Sequence, residues 1–404
     1  MNLVFVNYCH PETPHVCGLR MARFAQAMAE RGHKVVLVTR DLEGKPVAPP
    51  AAELPGLLAA HSWQQPFLLA VPPVPSRFHR ALHEGTLPPL IRKAAIAVAY
   101  LADGGLFGDW RRACLVYAPV LANHFRPDLA WGTFGNTDTW AVARGLARRA
   151  GIAWVMDIKD YWRHFIPRPF QGLLARRLGD GAHLTAFSGE NARDAAAWFG
   201  QPSEVVYSGL PTAFLEQGAD PVSSDFVLSL TGSVYDHAVL ERFISALARW
   251  SRQRPAGTTR LIYAGIDHRA VAQAARTLEP SWRLDIHPYL PLDQLHRLHE
   301  TASVNAYLRT DRGFHHKVIE LLAGRRPVLS FPAEGPEAHQ LAETCGGTLL
   351  SCDDEDALCL ALDRVATKEP LPAATAAGLA AFTWAAQATR LERVFLNVLE
   401  RGRR

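Results

Sequence analysis

The feature that most constrains this 404-residue chain is an alternation of short apolar runs with segments of helical spacing, which occurs in two successive series. Leu3-Val4-Phe5-Val6 precedes a turn-rich loop reaching Gly18; Leu19, Ala22, Phe24, Ala25, Met28 and Ala29 then fall at helical spacing, before Gly32 and the run 34–39. Strand, helix, capping glycine and strand form a β-α-β unit, the opening of a parallel sheet with helices on its faces. Residues 41–90 hold ten prolines without sustained periodicity, and 41–125 reads as an irregular or helical excursion out of the sheet. The alternation resumes with strands at 129–131, 153–157, 184–187 and 204–207, separated by helices at 139–150, before Gly181, and at 190–199.

The polar, Gly- and Pro-bearing stretch 209–224 suits a linker. The second series has strands at 226–230, 260–264, 284–286, 303–307 and 327–330, with helices near 238–250, 269–277, 292–301 and 316–323. The prediction is an α/β protein of two doubly wound Rossmann-like domains, 1–208 and 225–382, closed by a long helix within 383–404. Ligands are expected at the carboxyl ends of the strands and in the cleft between the domains.

The chain carries 43 Lys and Arg against 39 Asp and Glu, a near balance that speaks against a nucleic-acid reader. Met1–Asn7 has no charged leader and reads as a strand, and the apolar run 94–102 is too short to span a bilayer, so a cytoplasmic protein is expected. Cysteines at 9, 17, 114, 345, 352 and 359 offer no C-x-x-C pair and are expected as free buried thiols. His296 and His299 stand at i,i+3 with no third ligand in view, so surface or hydrogen-bonded histidines are expected rather than a metal pair.

Two segments offer anion chemistry. Thr231-Gly232-Ser233 follows the first strand of the second series and precedes a helix, a turn whose amides can face a phosphate or whose glycine is simply structural. Arg312-Gly313-Phe314-His315-His316-Lys317 feeds another helix, with Glu320 one turn into it on the face of Lys317. Lys317 suits a diphosphate and Glu320 a pair of ribose hydroxyls, and a surface ion pair stays open from spacing alone. In the first domain Asp157, Lys159 and Asp160 end a strand at its ligand edge, where a carboxylate can orient a hydroxyl or take its proton, or else cap a helix. His124, near strand 129–131, is an alternative active-site histidine. Arg77, Arg80, Arg92, Lys93, Arg111 and Arg112 are interleaved with aromatics in the excursion, a composition that reads by default as packed aromatics with solvated arginines and that also suits peripheral membrane contact through 77–112 at the inner face.

Lys317-x-x-Glu320 followed by Leu-Leu-Ala-Gly-Arg-Arg-Pro-Val-Leu resembles the donor-binding signature of GT-B glycosyltransferases, specifically the large retaining family numbered four in its bacterial polysaccharide branch. Gly18-Leu-Arg20, Glu30-Arg-Gly32-His33, Trp154-Val-Met-Asp157-Ile-Lys159-Asp160-Tyr-Trp162, Tyr207-Ser208-Gly209-Leu-Pro211, Thr231-Gly-Ser-Val-Tyr235 and Phe382-Thr-Trp384-Ala-Ala-Gln387 agree with that family in order and spacing. The resemblance implies transfer of a sugar from a nucleotide sugar, with UDP the expected nucleotide, to a glycan, lipid-linked or small-molecule acceptor with retention. It puts the nucleotide in the C-terminal domain, the acceptor in the N-terminal one with Lys159 and Trp162 on the acceptor side, and the last helix back across the first domain. By matching position, amides at His316 and Lys317 meet the diphosphate, Glu320 the ribose, Tyr289 and Leu290 flank the base, and Gly18 approaches the diphosphate. No metal is required by such a site. Two departures stand out: Arg312 occupies a position where the family carries Glu, and no Arg or Lys follows the 231–233 turn through Ala238. Diphosphate charge then falls to Arg309, Arg312, His315, His316 and Lys317, and a degenerate protein that binds nucleotide or glycan without turnover is the alternative reading.

Overall fold

Two wholly parallel sheets organise the chain, seen in a computed structural model that describes all residues except 14–15, 217–224, 253, 255–257, 279, 310–312, 315 and 403–404. The first sheet contains β1 (Asn2–Val6), β2 (Lys34–Arg40), β3 (Phe67–Val71), β4 (Leu129–Phe134), β5 (Ala153–Ile158), β6 (His183–Ala186) and β7 (Ser203–Val205), in the order β3-β2-β1-β4-β5-β6-β7. The second contains β8 (Phe226–Thr231), β9 (Thr259–Ala264), β10 (Trp282–His287), β11 (Val304–Leu308), β12 (Val328–Phe331) and β13 (Leu349–Ser351), in the order β10-β9-β8-β11-β12-β13. In each sheet the order reverses beside the first strand, so β1/β4 and β8/β11 are the topological switch points of two doubly wound folds.

Burial explains why these strands read as apolar runs. Along β1, Leu3 and Phe5 enter one core while Val4 and Val6 enter the other, so both faces are covered and no polar alternation survives. The Leu3 side is closed by helix Val16–Glu30 and helix Trp384–Gly402, where Phe24 meets Trp384 edge-on at 5.3 Å and Phe5 meets Trp131 at 4.8 Å. Tyr207 N donates to Gln387 Oε1 at 2.9 Å, which fastens that last helix beyond β7. In the second sheet Leu228, Leu230, Leu261 and Tyr263 pack under Phe243, Leu247, Leu358 and Leu362. The chain accordingly divides into one unit of Met1–Gly209 with Trp384–Arg404 and a second of Leu210–Thr383.

Several elements differ from the sequence reading. The excursion 41–125 contributes β3, which pairs with β2 as an edge strand. Its run Phe67–Val71 is bracketed by Pro66 and Pro72-Pro73, and an edge position tolerates prolines at the strand's ends. β13, three residues long, carries too little pattern to be seen. Asp354 caps helix Glu355–Ala366, its carboxylate accepting from Ala357 N at 2.8 Å, so the cysteines at 345, 352 and 359 do not share one helix face. Cys9 and Cys17 are joined as a disulfide with Cα atoms 6.0 Å apart, contrary to six free thiols; Cys114, Cys345 and Cys352 are free and buried. Of the stretch read as a linker, Ala213–Glu216 is a helical turn and 217–224 lies outside the described residues. No helix among the described residues is long and apolar enough to cross a membrane.

Candidate functional site

At the second unit's switch point the 231–233 turn and Lys317 converge. Gly232 adopts φ 107°, a conformation that glycine tolerates, and a Cβ there would stand 1.2 Å from the Lys317 ammonium nitrogen. Lys317 Nζ donates to the Thr231 carbonyl at 3.0 Å. The turn is braced from the neighbouring strand: Tyr263 donates its hydroxyl to the Gly232 carbonyl at 2.6 Å, Gly232 N donates to Ala264 O at 3.2 Å, and Val234 N donates to Asp267 Oδ2 at 2.8 Å. Gly265 makes this possible, since a Cβ there would meet the Tyr263 hydroxyl at 2.3 Å. Tyr263, Gly265 and Asp267 were missed by the sequence reading; a glycine directly after β9 was the available signal.

Burial pushes the Lys317 ammonium down to about 8, against the pull of Glu320 and Asp267, and pushes the Glu320 carboxyl up against the pull of Lys317. His316 Nε2 stands 3.6 Å from Glu320 Oε1. Helix Lys317–Ala323 is seven residues long and places the Lys317 side chain at its first position. Arg309, just past β11, donates to Ala333 O at 2.7 Å and lies 3.4 Å from Glu334, whose carboxylate also accepts from the Tyr307 hydroxyl at 2.9 Å. Ser233 sits within the braced turn, whereas Tyr289 and Leu290 follow β10, the sheet's edge strand, with β9 between it and β8; Tyr289 is exposed. Arg312 and His315 lie outside the described residues.

In the first unit the carboxylates at the end of β5 separate into two environments. Asp157 is fully buried and accepts from Arg20 through both oxygens at 2.8 and 3.1 Å, from Thr133 at 2.8 Å and from Thr185 at 2.8 Å. Its lone pairs are thereby occupied, and it holds Arg20, which also approaches Ser208 at 3.4 Å. Asp160 instead reaches the surface two residues past β5, paired with Lys159 at 3.1 Å. Gly18 packs against its own loop: a Cβ would stand 2.4 Å from the His10 carbonyl.

Two residues are corrected by position. Trp162 is fully buried, its indole N–H donating to Gln171 O at 3.1 Å and its ring stacked on Trp140 at 5.8 Å, so it offers an acceptor no surface. His124 is exposed but lies ahead of β4, beside the Phe125 and Arg126 carbonyls that accept from Asn2, and hence at the amino edge opposite the ligand edge. His296 and His299 are both buried, not surface residues; burial lowers them to about 4 and about 3, and the His296 ring stacks on Phe214 at 3.6 Å. Among the described residues no group of three or more His, Cys, Asp or Glu side chains is placed to hold a metal ion.

No protein-family model matches the sequence, and no curated protein matches it either. Solved structures do. Sucrose-phosphate synthase from Thermosynechococcus elongatus is 15% identical, covers 98% of this chain and 98% of its own, and has a TM-score of 0.68. HepE from Anabaena, solved in complex with UDP, is 15% identical over 98% of this chain and 100% of its own, with a TM-score of 0.63. A glycosyltransferase from Rickettsia africae is 11% identical over 98% of each chain, with a TM-score of 0.62. With its two doubly wound sheets and these likenesses along almost its whole length, the chain has the GT-B fold.

Proposed function

We propose that this chain is a glycosyltransferase that moves a sugar from a nucleoside-diphosphate sugar, a UDP-sugar first among them, to an acceptor hydroxyl. The observation that carries the reading is the Lys317 ammonium held over the bare backbone of Gly232 at the β8/β11 switch point. Structures of the similar HepE with UDP and with UDP-glucose support a uridine nucleotide there. In this reading Lys317 faces the diphosphate, aided by Arg309, Arg312, His315 and His316, while Glu320 takes the ribose hydroxyls and Tyr289 and Leu290 flank the base. The bond between the sugar's anomeric carbon and the phosphate oxygen breaks, and the nucleoside diphosphate leaves with the electron pair, its charge stabilised by these side chains without a metal. The acceptor oxygen bonds the anomeric carbon with retention, and its proton passes to Asp160, which Lys159 positions. The acceptor is a glycan, lipid-linked or small-molecule hydroxyl bound by the first unit.

The absence of Arg or Lys between Ser233 and Ala238 favours a second reading, a nucleotide binder without turnover. Thermal denaturation against UDP, GDP, dTDP, CDP and their sugars, beside Lys317→Ala and Glu320→Ala, tests both. A nucleotide at about a hundred times its Kd adds roughly 2.7 kcal/mol, so the parent should gain several degrees and the variants should not. No shift with any nucleotide overturns the donor site; a shift without donor hydrolysis or transfer selects the binder.

A further inference from the structure

We propose that the helical segment 74–101 of the first unit seats on an anionic lipid surface. Helices Arg77–His83 and Pro89–Val98 pack on each other through Leu82, Ala95 and Ala99, and the second runs on into a π-helical turn, Ala99–Asp103. The side facing away from that contact is apolar. Leu90, Ala94, Val98 and Leu101 recur at i, i+4, i+8 and i+11, with Leu90 80% exposed, Val98 54% and Leu101 56%. Ile91 on the same helix, and Val74 and Phe78 ahead of it, are also exposed. Water solvates such a stripe poorly, and a contiguous apolar patch of this kind marks a surface that is covered when it works.

Charge selects the occupant. Between residues 74 and 101 the chain holds Arg77, Arg80, Arg92 and Lys93 against a single acid, Glu84, and all four cations are exposed. A second copy of the chain would bring these like charges together, whereas an anionic bilayer accommodates stripe and cations together: Lys93 borders the stripe one turn from Leu90, and Arg92 stands in the exposed first turn on the face of Ala95 and Ala99. A helix of this make-up lies in the plane of the interface, its stripe at the boundary of headgroups and acyl chains and its cations among the headgroups. The seat does not depend on nucleotide chemistry, so it stands or falls apart from the transferase reading. If both hold, an acceptor carried on a lipid is brought to the enzyme at the surface where it resides.

Sedimentation of the full chain with phosphatidylcholine vesicles, with and without phosphatidylglycerol, tests the proposal. Pelleting should require phosphatidylglycerol and be released by high salt. The pairs Leu90→Ser with Val98→Ser, and Arg92→Glu with Lys93→Glu, should each weaken it about tenfold or more. Both pairs should keep the parent's melting temperature, because these side chains lie outside the core. No pelleting at low salt, or pelleting unchanged in both pairs, overturns the proposal. A dimer in analytical ultracentrifugation that the Leu90/Val98 pair dissolves, without vesicle binding, overturns it in favour of a second copy.

Discussion

Lys317 Nζ hydrogen-bonds the Thr231 carbonyl at 3.0 Å and so occupies the space that a side chain on Gly232 would need. Gly232→Ala must push the ammonium aside and hold alanine at φ 107°. It should abolish nucleotide-induced stabilisation as fully as Lys317→Ala does. Gly172→Ala, with nothing within 4 Å of its Cβ, serves as the control and should keep the nucleotide shift. A Gly232→Ala protein that still gains several degrees from the nucleotide would sink the placement of the anion at this turn.

Nucleotide binding should take up a proton in mildly alkaline solution. Lys317 falls from 10.5 to about 8 in the fold, so the stability contributed by its neutral form is present above 10.5 and lost as pH drops through about 8. A bound diphosphate favours the cation and raises the value again. Above about pH 8 the free protein is neutral at this site and must gain the proton on binding, so affinity should decline as pH rises. Titration calorimetry in buffers of different ionisation enthalpy reads the uptake directly; Lys317→Arg should bind without it.

Asp157 and Asp160 should respond oppositely to the same change. Asp157→Asn leaves Arg20 buried without a full counter-charge, and breaking such a pair costs about 3–5 kcal/mol, visible as a large fall in melting temperature. Asp160→Asn loses a partly exposed pair with Lys159 and should melt within a degree or two of the parent while turnover falls at least tenfold. Unchanged turnover in Asp160→Asn would remove it from the reaction.

Acid should destabilise the second unit through two buried histidines. His296 and His299 drop from 6.5 to about 4 and about 3 through burial, so the stability their neutral forms contribute is present above pH 6.5 and lost as pH falls through those values. For His296 alone the full effect is about 3 kcal/mol. His296→Leu should flatten the decline of melting temperature between pH 6.5 and 4; an unaltered slope would refute the assignment.

Strands such as β1, β2, β5 and β8 were legible because burial on both faces writes them as uninterrupted apolar runs. β3 was not, because the prolines that bound it look the same in sequence as prolines that forbid a strand. Gly232 and Lys317 were recognisable singly and Tyr263, Gly265 and Asp267 were not; the contact between Thr231 and Lys317 spans 86 positions and that between Arg20 and Asp157 spans 137, and no local pattern records such distances. Trp162 and His124 show two further limits. An aromatic inside a motif does not reveal which way its ring turns, and a histidine near a strand serves the ligand edge only if it follows that strand.

The helix Trp384–Gly402 completes a core begun by Leu3 and Phe5, while Leu210–Thr383 forms its own unit in between. During synthesis the first-made sheet must wait, with the apolar face around Phe24 and Trp131 uncovered, until the whole second unit has been translated. The half of the molecule that emerges earliest is therefore the last to finish folding, and a chain released before Trp384 would carry every residue of the second unit while leaving the first unit's apolar face uncovered.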